Sequence, residues 1–207
     1  DVERSRGLGD VYKRQLMERV IDQTRRRVIH GEKVSVEEKV VSIFEPHTDI
    51  IVKKPRETVF GHKVALMGGE SSMILDCIIK QGNPSDESLA QKLVERQKAL
   101  WDRVPRQVVF DGGFASKSNL QSLKNMGVKD VAFSKKRGMK ISEMVKSSWV
   151  FKRLRRFRAG IEGCISTLKR VFRLDRCTWR GMESFESYVW SGIVAYNLIV
   201  VARHLLQ

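Results

Sequence analysis

The chain has 207 residues, enough for one domain with a full core and an appended arm, and its 42% hydrophobic content excludes global disorder. Charge is its unusual quantity: 39 Lys and Arg against 24 Asp and Glu give a net +15, which calls for a polyanionic partner, because cation–phosphate contacts release counterions. The longest apolar run, YVWSGIVAYNLIVVA at 188–202, is shorter than the roughly 20 residues of a bilayer span, contains Asn197 and is followed by Arg203, so it predicts a buried core helix and no membrane partner.

Taken in chain order, the first segment with its own signature is RSRGLGDVYKRQ (4–15), which resembles translated sequencing-adaptor read-through. The expectation is therefore a non-native start over 1–15, with the native reading frame continuing upstream. Residues 16–35 read as a helical arm, with apolar Leu16, Val20 and Ile21 and a stop at Gly31. Residues 36–207 read as the domain proper. Within it, 39–45, 61–69 and 73–82 have strand character, the last two joined as a hairpin across GGESS. A helix over about 86–102 follows, with Asp86 as its N-cap and Leu89, Leu93, Leu100 and Trp101 facing inward.

The second half changes rhythm. RQVVFDGG (106–113) is an apolar run without alternation, the pattern of a strand buried on both faces of a parallel sheet. A helix over about 116–126 and a strand at 129–134 complete a βαβ unit, and two further helices close the chain. The sum is an α/β fold around one mixed sheet flanked by helices. Cys77, Cys164 and Cys177 show no CxxC spacing, and His30, His47, His62 and His204 make no ligand pattern with them, which argues for a reducing cytoplasm and against structural zinc.

Two acids stand out. Asp111 lies where the apolar strand opens into Gly-Gly-Phe, at the carboxyl end where α/β sheets bind ligands, although Asp-Gly is also an ordinary turn. Glu162 is the one acid of RRFRAGIEGCISTLKRVF (155–172), set between Gly160 and Gly163. A glycine costs about 1 kcal/mol in a helix interior, so a packing or access requirement is expected to keep the pair there. Arg158, four residues earlier, offers the plainer reading of a solvated ion pair. From 150 to 180 ten basic residues face two acids. Carboxylates suit hard divalent cations such as Mg²⁺, and two such ions serve phosphodiester chemistry, while the surrounding cations hold the phosphates.

FDGGF, followed 51 residues after its Asp by Glu162 in RAGIEGCISTLK, resembles the second and third acids of DDE transposases of bacterial insertion sequences, in particular the ISNCY-like group. Arg158, Glu162 and Lys169 match the R-x3-E-x6-K part of a signature in related groups, with Arg155 where a Tyr leads it; FGHKVAL, GNPSDES and KKRG also resemble family segments in the same order. The resemblance implies an RNase H-like catalytic domain, with Asp111 and Glu162 as catalytic metal ligands for two Mg²⁺ or Mn²⁺ ions. It implies phosphodiester hydrolysis at the element end and attack of the freed 3′-hydroxyl on target DNA. Arg155, Arg158, Lys169, Arg170, Lys135, Lys136 and Arg137 are the expected DNA contacts. Expected partners are the double-stranded terminal repeats, target DNA and further copies of the chain, in the bacterial cytoplasm at the nucleoid.

The family's first Asp, on the first strand of its fold, has no counterpart here: Asp22 falls in a predicted helix and Asp49 in a PHTD turn. The expectation is an N-terminally truncated, inactive fragment, with 107–111 left with an open edge or an improvised partner such as 39–45. Two rival classes stay open: a basic α/β module that binds nucleic acid without cutting, and an RNase H-like nuclease without strand transfer. Trp179 is expected to stack on a base or anchor its connector, Trp190 and Tyr196 to sit in the core, and MGGE (67–70) lacks the Lys and spacing of a phosphate loop.

Overall fold

The structure, a computed structural model, describes residues 2–54 and 57–206. The chain divides into two compact units, one of residues 1–62, 81–83 and 179–184, the other of 63–80, 84–178 and 185–207.

The first unit opens with helix α1 (Val2–Thr24), which runs through residue 15 without a break and ends in a π-helical turn, Arg25–Ile29. Leu16, Val34 and Val40 are its buried apolar residues, whereas Ile21 is exposed. The expected strand at 39–45 does not form. Gln23 donates its amide N–H to the Val40 carbonyl and accepts from the Val40 N–H, both at 2.9 Å, so a side chain takes the two backbone groups that a ladder would have used. Ser42 Oγ accepts from Phe44 and Glu45 N–H and bends the next residues. The unit's sheet is instead an antiparallel hairpin of β1 (Asp49–Lys54) and β2 (Glu57–Gly61), in register Ile51 to Val59. Asp49 thus starts a strand rather than sitting in a turn. His62 lies 3.0 Å from Asp49 and 2.7 Å from His47, which lies 2.8 Å from Glu45. The Gly82 and Gly181 N–H groups donate to Asp49 and Glu45, gathering three distant stretches of chain.

The second unit contains two more sheets. β3 (Lys63–Gly68) and β4 (Ile74–Lys80) form the expected antiparallel hairpin. A 3₁₀ turn, Asp86–Leu89, then leads into α2 (Ala90–Trp101), so Asp86 begins the turn and Ser85 takes the cap position. Leu89 and Leu93 are buried as expected, but Leu100 and Trp101 are exposed, because the last turn of α2 runs out to a left-handed Asp102 beyond the core. β5 (Gln107–Phe110), α3 (Lys117–Asn125) and β6 (Asp130–Phe133) are the βαβ unit, with its strands parallel. A single turn, α4 (Ile141–Met144), precedes α5 (Ser148–Arg170), and α6 (Met182–Leu205) closes the chain.

The strands of the described residues therefore make three two-stranded sheets, not one mixed sheet. Among the described residues β5 pairs with β6 alone, and no strand links it to β3. The consequence is visible in burial. All four residues of β6 are buried, whereas β5, expected to be covered on both faces, is only half-buried along its length.

Three apolar clusters hold the unit together. Leu123, Val131, Phe133, Met144, Val150 and Leu154 join the βαβ unit to α4 and the first half of α5. Ile74, Cys77, Cys164, Leu168, Ile193 and Tyr196 join the β3–β4 hairpin to the second half of α5 and to α6. Ala65, Ile78, Leu89 and Leu93 seat α2 on the same hairpin. The Tyr196 hydroxyl bonds Cys164 Sγ at 2.9 Å and the Ser72 carbonyl at 3.1 Å; burial, then the Cys164 contact, pushes the phenol up to about 12. Asn197 closes both backbone groups of Ile74 at 2.8 and 2.9 Å, which gives the polar residue of the apolar run its task. Trp190 departs from the core expectation at 37% exposure, since α6 turns only one face to its neighbours. By length and composition α6 is apolar enough to cross a membrane, and that inner face is the one packed on the β3–β4 hairpin.

The 2%-exposed Asp76 on β4 takes a two-pronged contact from Arg96 of α2, at 2.6 and 2.8 Å. Arg96→Ala strands that carboxylate and is expected to lower stability by on the order of 3 kcal/mol in urea unfolding, whereas Arg96→Met with Asp76→Leu loses far less. Equal losses would show that the pair itself stabilises the fold and that the stranded charge is not the cause.

Candidate active site

The second unit brings its signature acids together through one side chain. Asp111 caps the 3₁₀ turn Gly112–Phe114 at the end of β5, which sets its carboxylate beyond the strand. Glu162 lies midway along α5, whose helical spacing places Arg155, Arg158, Glu162 and Lys169 along one side. The Arg158 Nη2 atom contacts Asp111 Oδ1 at 3.0 Å and Glu162 Oε1 at 2.8 Å. Two carboxylates distant in sequence thus straddle a single nitrogen atom. Their side chains are 57% and 60% exposed, so the cluster is open to a ligand.

Asp111 is held further by the Gly112 N–H at 2.5 Å and the Ser134 hydroxyl at 2.9 Å. Partial burial opposes ionisation, but these two donors, with the charges of Arg158 and Lys135, hold the carboxyl below the usual carboxylate range. Ser134, at the end of β6, carried no motif in the sequence. Its position next to Asp111 follows from the parallel register, which sets Phe110 beside Phe133.

The glycines beside Glu162 answer to no packing requirement, which leaves access of the two reasons expected. A Cβ on Gly160 or Gly163 would meet only open space, so nothing packs against either of the two that flank Glu162. The close approaches lie opposite. A Cβ on Gly68, at the end of β3, would fall 2.0 Å from Ile161 Cδ1 of α5. One on Gly112 would fall 2.7 Å from the Lys135 stem, and one on Gly113 would fall 2.3 Å from Asp86 Oδ2. Asp86 is thus a third acid beside the Asp111 turn, missed because its sequence context reads as a helix cap. It is paired with Lys63 at 3.0 Å.

The remaining basic residues divide. Lys135 packs over Gly112 at the site. Lys136 lies over the Phe151 ring, 5.7 Å from its centre, and Arg137 donates to the Ala115 carbonyl at 3.3 Å. Arg155, Lys169 and Arg170 are exposed on α5, Arg170 being turned about 100° from Lys169. Among the described residues no group of three or more His, Cys, Asp or Glu side chains gathers as a metal cluster. The donor chemistry nevertheless fits Mg²⁺, which takes hard oxygen ligands, commonly one or two carboxylates completed by water and substrate phosphate.

The family described as Transposase DDE domain matches residues 51–198. The chain belongs to that family, and with it to the transposase-type nuclease class of enzymes acting on DNA, a class that generally uses divalent metals such as Mg²⁺. No curated protein and no solved structure matches it.

Two outcomes check this geometry. Arg158→Gln removes a cation that favours the Asp111 carboxylate, so the carboxyl midpoint should rise toward the ordinary value in a carbon-detected NMR titration; an unmoved midpoint would remove Arg158 from the site's electrostatics. Gly160→Ala, with free space for its methyl, should raise stability by about 1 kcal/mol.

Proposed function

We propose that the second unit is the catalytic core of an insertion-sequence DDE transposase, with Asp111 and Glu162 as two of its metal-binding carboxylates. The observation that supports this reading most directly is the shared Arg158 nitrogen, which brings the Asp111 and Glu162 carboxylates onto a single positive charge. A bound pair of ions would supply a water acidified to near-neutral pKa and charge neutralisation of the leaving oxygen. The chain's own share is positional. Gly112 N–H and Ser134 fix one carboxylate oxygen of Asp111, so the acid is ionised and oriented before a cation arrives. Arg158, displaced from the acids, would turn its guanidinium to a phosphate oxygen, and Lys169 would hold the backbone farther along the helix. Gly160 and Gly163 keep the surface beside Glu162 low, which admits a bulky duplex. The product 3′-hydroxyl would then attack target DNA, on a multimer that pairs the two element ends in the bacterial cytoplasm.

The third acid belongs to this proposal too. Asp86 is engaged by Lys63, and the edge of β5 that has no partner among the described residues offers a place for one further strand carrying a carboxylate beside Asp111. The 207-residue chain alone is therefore expected to be inactive. A second reading draws on the same Arg158 contact: two acids neutralised by an arginine also suit a module that binds nucleic acid without cutting it.

The deciding experiment incubates terminal-repeat DNA and Mg²⁺ with the chain as it stands and with its reading frame extended upstream. The extended protein should nick the element end and join it to target, and Asp111→Asn or Glu162→Gln should each cut that rate by more than about 100-fold, beyond the loss typical of a merely supporting group. Full activity in the 207-residue chain would refute the missing-acid reading. Unchanged rates in both variants would remove Asp111 and Glu162 from the chemistry, and no cleavage by the extended protein would leave only the binding module.

A further inference from the structure

We infer a second nucleic-acid contact, centred on Trp149, that takes an unpaired base next to the phosphates of its strand. This rests on DNA being the substrate but not on the acids. A cavity of about 180 Å³ opens at the start of β5, lined by Arg106, Gln107, Lys146, Trp149, Val150 and Arg153. Three of those six side chains are cations and none is an acid. Trp149 is 65% exposed, and the Arg153 guanidinium lies 5.2 Å from its ring centre.

The cavity is built on a fixed floor. Asp130, 3% exposed, accepts from the Gln107 amide at 2.7 Å and from the Lys146 N–H at 2.8 Å. Gln107 in turn accepts from Arg153, so the arginine is held in place by a neutral partner and keeps its charge for a ligand. Burial opposes ionisation of Asp130, but the Gln107 and Lys146 bonds outweigh it and hold the acid below its usual range. That single buried charge lies behind three surface cations.

The patch continues along α5. Trp149, Lys152, Arg153 and Arg156 recur at i, i+3, i+4 and i+7, all exposed, on a side of the helix roughly 140° from the side bearing Arg158 and Glu162. An exposed ring among cations is the combination that grips single strands, where bases stack on aromatics and the phosphates follow the positive groove. A duplex shows its phosphates and groove edges but keeps its ring faces stacked, so it would use the cations and leave the indole idle.

The distance to the acids gives the contact a role. Gln107 and Asp111 mark the two ends of β5, about 13 Å apart at the rise of an extended strand. That is the length of about four base-pair steps of B-DNA. A strand with its phosphate at Asp111 that runs back along β5 would reach, a few nucleotides on, the cavity at Gln107 that Trp149 lines, passing from one side of α5 to the other. A base unstacked there would hold the cut strand in register while the acids act on it.

Binding in EDTA tests this without any cleavage. A fluorescent duplex, blunt or with a short single-stranded tail, is titrated with the full chain. The wild type should prefer the tailed probe by about tenfold, and Trp149→Ala should remove that preference while leaving the blunt probe within about twofold. Trp149→Phe, which keeps an aromatic face, should retain most of it and guards against a folding defect. Lys146→Gln with Arg153→Gln should weaken both probes and flatten the salt dependence by about two charges. No tail preference in the wild type, or a preference unchanged in Trp149→Ala, overturns the inference. Loss of the cleavage reading leaves these metal-free measurements intact, so the two failures are distinguishable.

Discussion

One guanidinium nitrogen holds two carboxylates that the chain supplies 51 residues apart, and the organisation of the second unit serves that meeting. For Arg158 to reach Asp111, the end of β5 must lie beside the middle of α5. The apolar cluster of Phe133, Val150 and Leu154 fixes that relation by burying the first half of α5 on the βαβ unit. The second half is fixed by Cys164 and Leu168 against the β3–β4 hairpin and α6. Because α5 is clamped on both sides, Glu162 in between is held in position while its own flank stays open. A helix secured at one end alone would let the carboxylate wander by several ångströms, which is too loose for a shared cation.

The electrostatics of the cluster come from opposed effects. Partial burial works against the Asp111 charge, and a backbone N–H, a hydroxyl and two cations work for it. The donors prevail because they are fixed by secondary structure: Gly112 by the 3₁₀ turn and Ser134 by the parallel register of β6 with β5. Asp130, at the other end of the same strand pair, is treated in the same way by Gln107 and Lys146. Each end of the β5–β6 ladder therefore carries an ionised, oriented acid, one facing open solvent and one sealed beneath a basic cavity. The family match over residues 51–198 covers both of these acids.

Elements with strong local signals were legible in advance. The β3–β4 hairpin, the βαβ unit and the two long closing helices follow from alternation, capping residues and glycine stops, and each lies within a few residues of its expected bounds. The failures have physical causes. Residues 39–45 have strand composition, yet Gln23 occupies the Val40 backbone groups. Leu100 and Trp101 continue a helical stripe past the point where the core ends. The β1–β2 hairpin carries β-branched residues in TDIIVK and ETVFG, but the PHTD turn signal in front of it masks the start of β1. At the site, Asp111 and Glu162 were visible as motif acids, while Ser134 and Asp86 were not, since neither has a signature outside its neighbours in space.

The sequence by itself determined charge, composition, most elements and the identity of the two signature acids, because these depend on residue type and on spacing over a few turns. Only the tertiary structure decided that one arginine joins those acids, that Gly68 rather than Gly160 makes room for α5, and that the strands of the described residues divide into three separate pairs. Those outcomes depend on contacts between segments tens of residues apart. Such contacts are set by how apolar faces pack and by which backbone groups remain without a partner, and no local pattern records either.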